Sequence, residues 1–335
     1  MLCGSRRSRS CRRVSSGGAA LIRRRRRAER RAAGARSAWS PRWFWPGFAA
    51  PATIYLLVFF VFPFYVVVAV AFGSVDPILR QPVPAWNPAA WNPAILQFTL
   101  SNIVHSDGLY YAAFIHTFIF VGLATFFCLL IGYPVAYFLA RRAGRFRGIF
   151  LVLFFAPFWI SYMLRMLAWI SLLQDDGYVN KILVNLGILH HSYSFLDGKP
   201  LTVIFGLVYG YVPFMILPLF ATLDRVHPSM LEAGRDLGAS PARTFWRVTL
   251  PQSRQAILAG FVICGLPMFG DYFTQQLLAN TANTTMIGNS IVNALYETIF
   301  VPRGAALILV MLVMLIPPIL YYLRSTNRAA LEIGA

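Results

Sequence analysis

The stretch Glu232–Pro251, "EAGRDLGASPARTFWRVTLP", breaks an otherwise apolar chain with charge and turn residues. Glu232, Arg235, Asp236, Arg243 and Arg247 lie within it, among Gly234, Gly238, Pro241 and Pro251. Just upstream, Pro228 suits the first turn of a helix, and Gly238 suits a left-handed C-cap. Ala233 and Gly234 are small enough to let another surface approach. Ser240 is a good N-cap and Pro241 a good first residue for a second helix, which Pro251 ends. The spacing predicts helix, glycine corner, helix: a compact angled element shaped to dock into something.

The flanking sequence says where this element sits. Of 335 residues, 58% are hydrophobic and 13% charged, with mean hydropathy +0.60. A soluble domain carries about a quarter charged residues, so the composition is that of a polytopic, all-α membrane protein. A span needs about 20 apolar residues. Six runs meet this, at 47–72, 112–140, 148–172, 201–223, 255–278 and 303–323. The expected organisation is a basic tail (1–46), a six-span domain (47–324) and a short C-terminal tail (325–335).

Arginine placement orients the spans. Fourteen arginines precede residue 43, four lie in 141–147, five in 225–254 and two after 323. The opposite side holds Arg80, Lys181, Lys199 and Arg303. By the positive-inside rule both termini are cytoplasmic. The quoted stretch then lies in a cytoplasmic loop, 225–253, between spans four and five.

The net charge of +18 is concentrated in the Arg-, Ser- and Gly-rich tail. Its low apolar content reads as disorder and as an anchor holding the N-terminus inside. A start assigned too far upstream, or a lipid- or nucleic-acid-binding role, are the other readings; nucleic acid is not an expected partner. The next apolar run is too long for a signal peptide, and no small-residue cleavage site follows it. Outside the spans, 175–189 reads as a short amphipathic helix with Val179, Ile182, Leu183 and Leu186 on one face. No strand pattern or internal repeat stands out.

Several chemistries are excluded. Cys3, Cys11, Cys128 and Cys264 form no CxxC, and the five histidines show no metal-ligand spacing. A P-loop needs a lysine before Ser or Thr. Lys181 and Lys199 are the only lysines, and Lys199 precedes Pro200. No ATP site is therefore expected, and no catalytic constellation for a membrane-embedded enzyme is present. A secondary transporter would leave the quoted stretch unexplained, and the internal repeats common in such folds are missing.

The quoted stretch resembles the cytoplasmic loop of bacterial ABC-importer permeases, E-A-A-x3-G-x9-I-x-L-P. Here Glu232, Ala233, Gly234, Gly238, Val248, Leu250 and Pro251 keep its spacing, with Gly for the second Ala and Val for Ile. The resemblance implies that Glu232, Ala233, Gly234, Asp236, Gly238, Ser240, Leu250 and Pro251 form a coupling element that fits a cleft on an ATPase subunit. It further implies an ATPase dimer holding ATP and Mg, an extracytoplasmic binding protein and a second, non-identical permease. The stretches 156–180, 267–291 and 301–307 are similar to the spermidine/putrescine-type subgroup. Permeases for ferric iron, thiamine or phosphonate share parts of them.

A polyamine site calls for carboxylates and aromatic faces. Only Asp271 and Arg165 lie deep inside spans, where an ionisable group signals function. Asp271 continues a small and polar stripe, Gly260, Cys264, Pro267, Asp271 and Gln275, that should face the bundle. Trp159, Tyr162, Tyr209, Tyr211 and Tyr272 are the nearby aromatic candidates. Counting along their spans puts Asp271 and Arg165 at one depth, about 25 Å from the cytoplasmic side at 1.5 Å per residue. They could pair as structural counter-ions, or Asp271 could contact the substrate.

Overall fold

The computed structural model describes residues 44–334, with side chains over 47–327. Residues 1–43 of the basic tail and the end of the C-terminal tail lie outside these limits, while 44–46 already belong to the first helix. The chain divides into two units, 1–65 and 66–335. In the first, α1 (Phe44–Leu56) leads through a π-helical segment, Leu57–Val61, into the start of α2 (Phe62–Ala71).

The second unit begins in α2. A two-stranded antiparallel hairpin follows, β1 (Ser74–Val75) with β2 (Pro82–Val83), which the sequence pattern had not suggested. Its tip is closed by Asp76, which accepts from the N–H groups of Ile78 and Leu79. Those two bonds hold the Asp76 carboxyl below the usual carboxylate range. Then come α3 (Ala94–Val104), α4 (Tyr111–Arg141), α5 (Arg147–Phe155), α6 (Tyr162–Leu173), α7 (Tyr178–Asn185) and α8 (Pro200–Arg225). After the elbow, α9 (Pro228–Asp236) and the helical run 241–252, come α10 (Arg254–Phe269), α11 (Phe273–Leu278), α12 (Ile287–Tyr296) and α13 (Val301–Gly334).

The core lies between α4, α8 and α10. On α4 the buried residues are mostly small: Ala113, Thr117, Ala124, Thr125, Cys128, Gly132 and Ala136. Those from Ala124 to Ala136 meet Val203, Leu207, Met215 and Leu219 of α8, and Cys264 and Met268 of α10. Large apolar residues of α4, such as Phe118, Ile119, Phe126 and Leu130, point outward. Small inside and large apolar outside is the arrangement of helices solvated by lipid rather than by water.

Among the described residues four helices are long and apolar enough to cross a membrane: Gly47–Ala71, Tyr111–Arg141, Pro200–Arg225 and Thr298–Asn327. The other two predicted spans are broken. Between Gly144–Trp159 and Tyr162–Asn185 the direction turns by 85°. Ala156–Trp159 tightens to a 3-10 turn, and Ile160 and Ser161 are extended, just after Pro157. The run 255–278 is likewise two helices, because α10 stops at Phe269 and α11 resumes at Phe273. Long apolar runs flank both breaks, so average composition read each as one span even though Ser161 and Asp271 lie in the breaks.

The predicted amphipathic helix forms as α7. Asn180, rather than an apolar residue, is its deepest contact: its amide donates to the carbonyls of Gln174 and Tyr193 and accepts from the N–H of Tyr193. Val179 and Leu183 are half-buried beside it, whereas Ile182 and Leu186 remain exposed.

Candidate functional site

Two places gather the sequence-predicted residues: the elbow at 227–253 and the meeting of the two broken helices.

At the elbow, Pro228 opens α9 and His227 caps it, its Nδ1 accepting from the N–H of Ser229. Gly238 turns the corner at φ +77, a backbone region that side chains with a Cβ rarely adopt. Ser240 Oγ then accepts from the N–H of Arg243 at 3.3 Å, capping the second helix. This helix does not end at Pro251. It runs from Pro241 to Gln252 with a π-helical segment at Phe245–Thr249, and breaks at Ser253. The wider turn falls just ahead of the proline, whose missing N–H already leaves a gap in the ladder. Leu250 is half-buried and Pro251 exposed.

The elbow is pinned to α4. The Phe245 ring meets the edges of Tyr133 and Tyr137 at 5.6 and 6.0 Å, and Tyr133 Oη lies 3.0 Å from Ser253 Oγ. Gly234 abuts Thr244, closing the angle between the two helices. Glu232, Ala233 and Asp236 are exposed. So are Met230, Leu237 and Trp246, with Leu237 at 89%. Sequence reading passed over these three apolar residues, which only the folded elbow brings out on one element. The result is a mixed apolar and charged surface that no element among the described residues covers.

At the second place, Asp271 sits in the break between α10 and α11, 6% exposed. Its Oδ1 accepts from the N–H of Thr274 at 3.0 Å. Its Oδ2 accepts from Tyr162 Oη at 2.9 Å, Tyr211 Oη at 3.2 Å and Thr274 Oγ1 at 2.8 Å. The Tyr162 and Thr274 hydroxyls also touch each other. Every donor is neutral, so Asp271 is held by hydroxyls and one backbone N–H, with no counter-ion among the described residues.

Arg165 does not pair with it. Among the described residues the ion pair found is Arg147–Asp224, an exposed one. The Arg165 guanidinium lies over the rings of Phe158, Tyr162 and Tyr209, at 4.3, 5.4 and 5.7 Å. Tyr162 stands between the two charges: its ring faces Arg165 while its hydroxyl binds Asp271.

The other candidates are elsewhere. Gln275 is buried, and its amide donates to the carbonyls of Ala279 and Thr281 and to Thr284 Oγ1, tying down the chain after α11. The predicted stripe from Gly260 to Gln275 is therefore interrupted at Gly270. Tyr272 stacks on Phe273, and Trp159 is 81% exposed at the break before α6. Thr274 was missed, although an Asp three residues before a Thr at a helix start is a capping signal. A cavity of about 580 Å³ lies beside α8, lined by Phe127, Ile131, Trp169, Phe205 and Val208 among others. It is apolar and does not reach Asp271.

Residues 130–326 match the family described as binding-protein-dependent transport system inner membrane component. The chain is 34% identical over 231 residues to the spermidine/putrescine transport system permease protein PotB of Escherichia coli (strain K12), covering 69% of this chain and 83% of that protein. The protein of the same name from Haemophilus influenzae is 34% identical over 206 residues, 62% of this chain and 71% of its own. Among solved structures, a bacterial alginate ABC transporter in complex with an alginate pentasaccharide-bound periplasmic protein aligns at TM-score 0.66. That likeness carries 16% identity and covers 86% of this chain and 95% of the other. It extends the agreement in fold to nearly the whole described region.

Proposed function

This chain belongs to the family of binding-protein-dependent inner-membrane transport components, and on that premise we propose that it is one permease subunit of an ATP-driven polyamine importer. The observation that carries the cargo is the 34% identity, over 69% of the chain, to a spermidine/putrescine permease. The chemistry of the site agrees with it: Asp271 is a buried carboxylate ringed by tyrosines and lacking a counter-ion, in a region where an uncompensated charge is costly.

In this reading the chain spans the inner membrane six times, the two broken helices each counting as one crossing. Both termini are cytoplasmic, with 1–46 a basic tail, 47–324 the permease domain and 325–335 the C-terminal tail. A second, related permease completes the channel, and an extracytoplasmic binding protein delivers cargo. The ATPase dimer, carrying ATP and Mg, seats against the elbow through Glu232, Asp236, Leu237 and their neighbours. Because Phe245 and Tyr133 fix the elbow to α4, movement of the ATPase is transmitted to the core helices without a flexible joint. Asp271 would meet the ammonium groups of the cargo as the breaks at 160–161 and 270–272 flex.

The test is uptake of labelled spermidine and putrescine by cells lacking the gene and by complemented cells. Loss and rescue support the polyamine reading. Unchanged uptake, with no redundant system present, returns the cargo to other solutes of the class, such as ferric iron, thiamine or phosphonate.

A further inference from the structure

Arg165 is buried, at 9% exposure, and its Nε and Nη1 are sealed from solvent with no hydrogen-bond partner. A buried guanidinium ordinarily finds a carboxylate or carbonyl, since leaving such a group unpaired is expensive. This one is held instead by three ring faces, Phe158, Tyr162 and Tyr209. Trp169 backs the arrangement edge-on against Tyr209, at 5.2 Å. Three aromatic faces around one cation, with a carboxylate beyond one of the rings, is the make-up of a site for alkylammonium or guanidinium ligands.

We propose that Phe158, Tyr162 and Tyr209 form a cation cage on the transport route, which Arg165 fills as a resident cation and an ammonium end of the cargo enters in its place. This rests on the polyamine reading above. The exchange leaves the charge of the cage unchanged, with one cation over the same rings before and after it. Nothing in the cage hydrogen-bonds the sealed nitrogens, so ring contacts are what Arg165 gives up on leaving. Tyr162 joins the cage to Asp271, since its ring forms one wall and its hydroxyl binds the carboxylate.

The experiment uses the assembled complex, permease with its partner subunits, in lipid nanodiscs. Arg165→Ala empties the cage. Its melting temperature should rise with millimolar methylguanidinium or butylammonium. It should not rise with methylurea, which has a similar shape and no charge, and the unsubstituted complex should respond to none of them. A response to methylurea equal to that to methylguanidinium, or no response beyond that of the unsubstituted complex, overturns the cage. Should Arg165→Ala fail to assemble, Tyr209→Leu and Phe158→Leu carry the test. Each should raise KM for spermidine roughly two- to thirtyfold, the range to which one cation–π contact corresponds, with kcat little changed. A merely structural role would lower the amount of complex and leave KM alone, and an unaltered KM refutes the proposal. Cation rescue in a complex that does not transport polyamines would retain the cage and refute only the cargo. Polyamine transport without rescue would do the reverse.

Discussion

Tyr162 Oη lies 2.9 Å from Asp271 Oδ2, and this one hydrogen bond joins the first turn of α6 to the break before α11. Both broken helices are thus clasped at their breaks. Tyr162→Phe and Asp271→Asn should be energetically coupled in a double-mutant cycle by about 1–2 kcal/mol, as expected for a buried hydrogen bond to a charged group. Arg165→Gln and Asp271→Asn should couple more weakly, because no ion pair links them. Thermal melts of the assembled complex would measure both cycles. A double variant lacking both charges that recovers the stability lost by either alone would mean that the pair does form in the complex.

Removing the Asp271 charge should separate transport from folding. The amide in Asp271→Asn keeps the shape and can still accept from the hydroxyls, so complex yield should stay near that of the unsubstituted protein. Polyamine uptake should fall at least about tenfold, which corresponds to roughly 1.4 kcal/mol of lost cation attraction. Comparable losses in yield and uptake would assign Asp271 to structure.

The clasp also depends on a glycine. A Cβ at Gly210 would lie 2.6 Å from Cε2 and 3.0 Å from Oη of Tyr162. Gly210→Ala should therefore push the tyrosine away from Asp271. We expect a loss of about 1–3 kcal/mol, as for other overpacked sites, and an uptake defect resembling that of Tyr162→Phe. Normal uptake by Gly210→Ala would show that Tyr162 has room to retreat without losing its bond.

How much of this could be read in the sequence follows from how local each rule is. Pro228, Gly238 and Ser240 act on backbone within one turn, and the structure places all three as capping and corner residues. That Arg165 and Asp271 belong to one neighbourhood was also legible, since Tyr162 touches both. Their orientation about the helix axes was not, because it depends on breaks at Ile160–Ser161 and Gly270–Tyr272 that the long apolar flanks hide from a reading of average composition. Pro157 and Gly270 were the available signals, but apolar helices tolerate both residues when neighbours satisfy the backbone. Gln275 was misplaced for the same reason: beyond a break, helical spacing no longer predicts which residues share a face. Leu237 was invisible because an exposed leucine on a short helix has meaning only once its surroundings are known.

The elbow's corner should be intolerant of side chains. Gly238 adopts φ +77 with open space around it, so substitution strains the backbone without causing a clash. Gly238→Ala should cost about 1–2 kcal/mol and Gly238→Val more, while Ser240→Ala should cost about 1 kcal/mol through the lost cap. Because the elbow is small, the measurable consequence should be weaker coupling rather than unfolding. Substrate-stimulated ATP turnover should fall while basal turnover persists.

The exposed face of that elbow provides the sharpest test of what it docks into. Leu237 projects into solvent beside Glu232 and Asp236, and Trp246 lies on the second helix. A large apolar side chain 89% exposed among charged residues of both signs suits a cleft with an apolar floor and a charged rim. Leu237→Asp should therefore reduce co-purification of the ATPase by removing the buried anchor. Glu232→Arg should act differently, because it leaves the apolar contact intact and reverses the rim charge. It should preserve some association but lose substrate-stimulated turnover, most visibly at low salt, where charge reversal is least screened. If both variants retain the ATPase and full stimulation, the elbow is not the coupling surface. If only Leu237→Asp releases the ATPase, its hold on the subunit is mainly apolar and Glu232 serves the transmission of movement.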